Sequence, residues 1–483
     1  MQNKIEEGTS VAIIGAGIAG LACAERLQAE GFSVQVFEKS PGVGGRMSTR
    51  RNPSWQCDHG AQYFTARSAA FREELQRWEA AGVAGLWSAR MSVIENPQSP
   101  WRAAGANTKR YVGVPSMTAP AKFLAASLPV QLESHIDTLT REPEGWRLHI
   151  AGKGWQDKFY DALVLALPAP QAKDLLSQFS SPLRELVASV RMRPAWALMM
   201  RCDESFDPGF DAAFVNSGPI RWLARNLSKP QRQGENMWLL HATAQWSEVH
   251  LEAQPSDVIE LLVEALQTIC PALVHESVAH RWRYADTEVL LGRESLWDEE
   301  KRLGLCGDWL HEAKIEGAWL SALSLAKVIT SRSLKKCLDS ELISIEYSSS
   351  LYKSALELRN EILRKPLGRS LDFVDLDGES EQQHFGIFGC ENTLIACVSV
   401  KEISGKHHKL RQMAVAEKFQ GQGVGAELVA SVERELIAQG VQEISLHARE
   451  SAIKFYEKLG YNCIGNLFDE VGISHKKMHK YFP

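Results

Sequence analysis

The stretch VAIIGAGIAGLACAERLQAEGFSVQVFEK, residues 11–39, constrains this chain most. An apolar run leads into Gly15, Gly17 and Gly20, spaced G-x-G-x-x-G; a helix-like segment follows, then a second apolar run ended by Glu38. The first glycine permits a tight turn, the second lets backbone approach a pyrophosphate, and the third lets helix and strand pack closely. The free N–H groups at a helix start, here beside Ile18 and Ala19, favour phosphate. Glu38 stands about 20 residues on, where an acid can hydrogen-bond a ribose diol. The alternative is a chance glycine turn in some other α/β protein. The order strand, turn, helix, strand, acid argues against it and predicts a dinucleotide site.

A chain of 483 residues exceeds what one core usually serves, so roughly two to four domains are expected. A net charge of -5 argues against a basic nucleic-acid binder. The nine cysteines show no C-x-x-C and no zinc spacing, so no metal site is expected and a reducing cytoplasm is. The apolar run at 11–24 is too short for a membrane span and is broken by glycines. Small-molecule substrates are the expected partners, and oligomeric state stays open.

The fold class expected is α/β and α+β: a Rossmann-type nucleotide domain with an inserted substrate-domain β-sheet, then a second α/β domain. Residues 1–333 form the first part, with the nucleotide portion at 1–65, 115–168 and 280–333 and the substrate portion at 66–114 and 169–279. The polar, basic stretch 334–340 reads as a linker, and 341–483 as the last domain. Residues 257–269 carry an amphipathic helix pattern with Asp257 as its cap.

A second glycine turn with an arginine, SPGVGGRM at 40–47, follows Glu38 and suits a longer cofactor wrapped on another side. Arg46 could pair a phosphate in bidentate fashion. Glu38 followed by GGRM resembles the amine-oxidase-like FAD flavoproteins. CDHGAQYFTAR (57–67), LALPAPQA (165–172), HRWRYA (280–285) and CGDWLHEAKIEGAWLSALSLA (306–326) resemble their renalase-like branch. The resemblance implies bound FAD held by Glu38, Lys39, Gly45, Arg46, Met47, Gly307, Asp308, Gly317 and Ala318, with Ile136 clasping the adenine through its backbone. It also implies a substrate class, misreduced 1,2- or 1,6-dihydro isomers of NAD(P), whose hydride passes to flavin and then to oxygen. His59, Gln62 and Tyr63 are expected to face the flavin. Trp222, Arg225, Asn226, Lys229 and His241 are candidates for substrate contact, with core packing or a solvated turn as the alternative for each. Amine oxidation, or a flavin and acetyl-CoA sensor without turnover, stays open beside this reading.

Near the other end, Gln420, Gly423 and Gly425 fit Q-x-x-G-x-G between a strand ending near Val415 and a helix starting near Val424. Bare N–H groups at such a turn can cradle a pyrophosphate, and the missing G-K-[ST] argues against ATP. With FYEKLGY downstream, the stretch resembles the GNAT acetyltransferases. The resemblance implies acetyl-CoA as cosubstrate, its pyrophosphate on Gln420, Gly421, Gln422, Gly423, Val424 and Gly425. Met413 and Val415 would face the pantetheine arm, and Tyr456 would protonate the departing thiolate. Core packing is the alternative for Tyr456. Many members carry Asn where this chain has Arg449. The base that deprotonates the acceptor is open among His447, Glu402, Glu450 and His475, and His407 and His408 read as an exposed turn.

Overall fold

The computed structural model describes residues 9–97, 101–105, 108–338, 342–370, 376–388, 393–421, 423–470 and 472–482. The chain divides into two compact units, Met1–Val328 and Ile329–Pro483. Helix Ile315–Leu338 continues through most of the stretch read as a linker. Residues 339 and 340 of that stretch lie outside the described residues.

In the first unit, strand Ser10–Ile14 lies parallel between Ser33–Phe37 and Ala162–Leu165. Val130–Gln131 flanks one side and Leu303–Leu305 with Leu296–Asp298 the other, closing a six-stranded sheet. Buried strands of a parallel sheet need apolar residues on both faces, which is why VAII and ALVL read as continuous runs. Helix Ile18–Ala29 begins just after the turn, with Gly17 as its cap. A seven-stranded sheet runs in the order Val274–Thr287, Met192–Cys202, Met237–Ala242, Ile220–Arg225, Ala212–Val215, Met91–Ile94, Arg102–Ala103. Helix Pro255–Ile269 packs on it through Val258, Leu262 and Leu266. Its cap is Gln254, and Asp257 lies in the first turn, where a negative charge still suits the helix dipole.

The second unit is one seven-stranded sheet in the order Ile343–Ile345, Gln383–Phe388, Leu394–Ser404, His407–Val415, Glu443–Arg449, Ile473–Tyr481, Asn462–Glu470. Helix Val424–Ala438 buries Val424, Leu428, Val432 and Leu436 against it. Neighbouring strands are antiparallel except one pair: His407–Leu410 runs parallel to Glu443–Leu446, and that ladder stops there. Gln412 adopts a left-handed φ of 53°. The register with Leu394–Ser404 slips just beside it, so a bulge turns this strand away from its parallel neighbour. His407 and His408 belong to this strand rather than to an exposed turn. His408 is buried, and His407 Nε2 lies 2.8 Å from the Ser445 hydroxyl.

Candidate active sites

A cavity of about 1650 Å³ occupies the first unit. Its wall runs from the glycine turn (Gly15, Gly17, Ile18, Ala19) past Glu38, Lys39, Gly45, Arg46, Met47 and Ile136 to Gly307, Asp308 and Ala318. The three glycines of the turn differ in what requires them. A β-carbon on Gly20 would lie 1.9 Å from the Gly15 oxygen, whereas one on Gly17 would meet nothing within 4 Å. Gly20 therefore serves packing, and Gly17 leaves room for a ligand. Gly317 also serves packing and does not line the cavity: its β-carbon would lie 2.0 Å from the Glu312 oxygen. Glu38 is buried, and its carboxylate accepts from the Ala16 N–H at 2.8 Å and the Ser40 N–H at 2.9 Å. The acid is fixed before any ribose arrives. Arg46 spends its guanidinium fork on Asp308, at 2.9 and 2.6 Å. This corrects the expectation of a phosphate-pairing fork: the pair ties the GGR turn to the distant Gly-Asp.

Across the cavity the inserted sheet supplies an aromatic wall. Strand register sets Phe214 beside Trp222, and Trp222 beside His241. The loop carrying His59, Gln62 and Tyr63 lies over it. Tyr63 packs on Trp222 at 5.6 Å, and His59 stacks on Trp282 at 5.2 Å and meets His280 edge-on at 4.7 Å. The His59 carbonyl accepts from Trp282 Nε1 at 3.0 Å and lies 3.1 Å from His241 Nε2. Burial, with His280 and Arg50 nearby, pushes His59 down to about 3; burial and Arg221 do the same to His241. Both imidazoles are neutral at pH 7.

Three substrate candidates lie elsewhere. Lys229 is enclosed, its ammonium 3.1 Å from Asp58 and 3.1 Å from Gln62 Oε1. Arg232 reaches the same carboxylate at 2.7 Å. Burial pushes Asp58 up, but Lys229, Arg232 and Thr49 outweigh it and hold the carboxyl well below its ordinary range. Asn226 accepts from the Asp58 N–H and donates to the Gln56 carbonyl, and Arg225 donates to Asn236. Asn226 and Lys229 thus brace the loop that holds His59 and Gln62, Arg225 is tied to Asn236 instead, and none of the three lines the cavity. Sequence reasoning missed Asp58, although its place inside CDHGAQ beside two candidates was a signal. It also missed His280 and Trp282, whose alternation in HRW marks one face of a strand.

In the second unit, Gly421 and Gly423 take left-handed φ values of 73° and 89°. Gln420 donates its amide to the Val415 carbonyl at 2.9 Å, closing the turn on its own strand. Gln422 lies outside the described residues. A β-carbon on Gly425 would lie 3.0 Å from Met413 Cε, so this glycine seats the helix against Met413. Tyr456 lies beside the same residue, its hydroxyl 3.3 Å from Met413 Sδ, and burial pushes it up to about 12. It holds its proton at neutral pH. Arg449 donates to the Leu363 carbonyl at 3.1 Å. Glu402 is exposed on its strand, and Glu450 begins a short 3-10 turn.

Comparison with known proteins finds a related family for each unit. Residues 13–78 match the NAD(P)-binding Rossmann-like domain, residues 87–330 the flavin containing amine oxidoreductases, and residues 375–482 the acetyltransferase (GNAT) domain. Renalase of Mus musculus is 24% identical over 347 residues, covering 66% of this chain and 98% of that protein. The uncharacterized N-acetyltransferase YitI of Bacillus subtilis is 29% identical over 143 residues, covering 28% of this chain and 95% of its own. Among solved structures, cyclohexylamine oxidase from Brevibacterium oxydans superposes with a TM-score of 0.53 at 14% identity, covering 67% of this chain and 99% of that one. An oxidoreductase from Methanosarcina mazei gives 0.51 at 14%, covering 65% and 99%. At such identities the structures speak to fold alone. The flavin family's match spans half of the chain, and the chain belongs to the flavin containing amine oxidoreductases, with a GNAT acetyltransferase domain following in the same polypeptide.

Proposed function

We propose that the first unit binds FAD and oxidises misreduced dihydro isomers of NAD(P), and that the second transfers acetyl from acetyl-CoA to an amine. The observation that carries the first half is the two-ended cavity. One end has the dinucleotide turn with its free space at Gly17, and the other an aromatic wall of Tyr63, Phe214, Trp222 and Trp282. Gly17, Ile18, Ala19, Glu38 and Asp308 would hold FAD, which when bound would supply a hydride acceptor that oxygen reoxidises to give hydrogen peroxide. The chain's own part is to bind and orient. Tyr63, Trp222 and Trp282 offer ring faces for a planar heterocycle. Loss of hydride turns a neutral dihydropyridine into a cation, and the neutral His59 and His241 do not oppose that charge. No general base is needed.

In the second unit, parted strands and the Gln420–Gly425 turn suit the arm and pyrophosphate of acetyl-CoA, and a protonated Tyr456 suits a leaving thiolate. The test is visible absorbance of the purified protein, mixed without oxygen with each dihydronicotinamide isomer. Rapid bleaching by the 1,2- or 1,6-isomers and little by ordinary NADH is expected. Bleaching by primary amines alone would replace this substrate, and absence of flavin after reconstitution with FAD would remove the cofactor.

A further inference from the structure

The glycine turn leaves the acetyl acceptor undefined, but the opposite face of the same sheet carries a set of groups that defines one. Along Glu443–Arg449, Ile444, Leu446 and Ala448 join the core that holds helix Val424–Ala438. Ser445, His447 and Arg449 therefore project from the other face. His447 is the first residue beyond the last parallel pair, Leu410 with Leu446, so it stands where the strands part. Its Nδ1 lies 2.6 Å from Glu470 Oε2, Lys409 Nζ lies 3.1 Å from its Nε2, and Phe468 meets the ring edge-on at 4.8 Å. Cations crowd this face. Lys401 pairs in register with Lys409, and Lys477 with His447. Burial lowers the proton affinity of Lys409 most, Arg411, Lys477 and Lys401 repel its charge, and Glu470 attracts it.

We propose that this face binds an amine carrying its own negative charge, with Lys409 and Arg411 holding the anion and His447, oriented by Glu470, taking the amine's proton. The proposal rests on reading the second unit as an acetyltransferase. The amine nitrogen attacks the thioester carbonyl carbon; the C–N bond forms and the C–S bond breaks. The nitrogen's proton passes to His447 Nε2, and the thiolate takes one from Tyr456. Lys409 Nζ lies against both ring nitrogens, 3.1 Å from Nε2 and 3.2 Å from Nδ1. A carboxylate or phosphate is a stronger acceptor for an ammonium, so the substrate's anion draws Lys409 away and frees the Nε2 lone pair as the amine arrives. Burial and then Lys409 and His475 lower the proton affinity of His447, opposed by Glu470. The imidazole is thus unprotonated at neutral pH.

The test measures thiol release from acetyl-CoA by the full-length protein with matched acceptors: α-amino acids against their α-carboxamides, and amino-sugar phosphates against free amino sugars. The charged member of one pair should win by at least about tenfold in kcat/KM, the worth of one charge-assisted hydrogen bond; which pair responds identifies carboxylate or phosphate. Lys409→Met should erase the preference, bringing kcat/KM for the charged member down to that of the neutral one. His447→Gln should lower kcat more than KM and abolish the loss of kcat as pH falls through the histidine range. Equal rates within each pair, a preference that survives Lys409→Met, or no transfer to any acceptor would overturn the proposal. Calorimetric binding of acetyl-CoA separates this from failure of the acetyltransferase reading: retained binding without an anionic preference sinks only the inference, and absent binding sinks both.

Discussion

At the first glycine turn, a β-carbon on Gly15 would lie 2.5 Å from the Ala166 oxygen and one on Gly20 1.9 Å from the Gly15 oxygen; at the second, β-carbons on Gly421 and Gly423 would meet nothing within 4 Å. The two turns look alike as sequence, yet they are held in different ways. The first is locked by the protein's own packing and by Glu38 gripping the Ala16 and Ser40 amides. The second is held by backbone conformation, by the bond from Gln420 to the Val415 carbonyl and by Gly425 seated against Met413. A locked cradle suits a group that stays through many turnovers. A lightly held one, open on the ligand side, suits a cosubstrate that must leave each time.

The sharpest way to break this contrast is at Gly20. Gly20→Val should abolish the cooperative unfolding transition of the first unit, because backbone cannot retreat from the new side chain. Gly17→Val should keep that transition and lose the flavin absorbance. Equal damage from both would mean that Gly17 too is a packing residue. Next in size is Asp58→Asn, which leaves Lys229 and Arg232 buried without their counter-charge and should cost about 3–5 kcal/mol, read by denaturant unfolding. The folded carboxyl titrates below its unfolded value of about 3.9, so its contribution is full above that pH and is lost as pH falls further. The variant should show a flatter acid limb. The second unit's transition should not move.

Tyr456→Phe should lower acetyl-transfer kcat by about 10²-fold, the usual worth of a positioned acid, with acetyl-CoA affinity unchanged. Unchanged turnover would leave the tyrosine a packing residue against Met413. Smallest is Gly423→Ala, which places a β-carbon at a φ of 89°. A penalty of about 1 kcal/mol is expected, visible as a lower melting point of the second unit. No measurable change would mean that the turn relaxes, making it softer still than the comparison holds.

Both cradles were legible because glycine spacing and strand endings are local signals. What eluded sequence reading depends on register and bulges, which are set between strands. Trp222 and His241 meet because their strands pair with one residue opposite the other, and nothing near either residue states that pairing. Lys229, three residues beyond Asn226 and followed by Pro230, reads as a solvated turn; only the fold reveals that Asp58, far away in the chain, draws it inside. The pair His407-His408, in the polar stretch SGKHHK, reads as an exposed turn. Pairing with Ser404 and Glu402 on one side and Glu443 and Ile444 on the other places both in a strand instead.

The parted strands have a consequence for the second unit's lifetime. Beyond Leu410 the strand loses its ladder with Glu443–Arg449, and the two strands part. A molecule that fills the gap binds the folded form and not the unfolded chain, so it shifts the folding equilibrium by mass action, about 2.7 kcal/mol at one hundred times its dissociation constant. The thermal midpoint of this unit then becomes a gauge of free cosubstrate: a cell rich in it would hold the domain tightly folded, and a starved one would expose it to proteolysis.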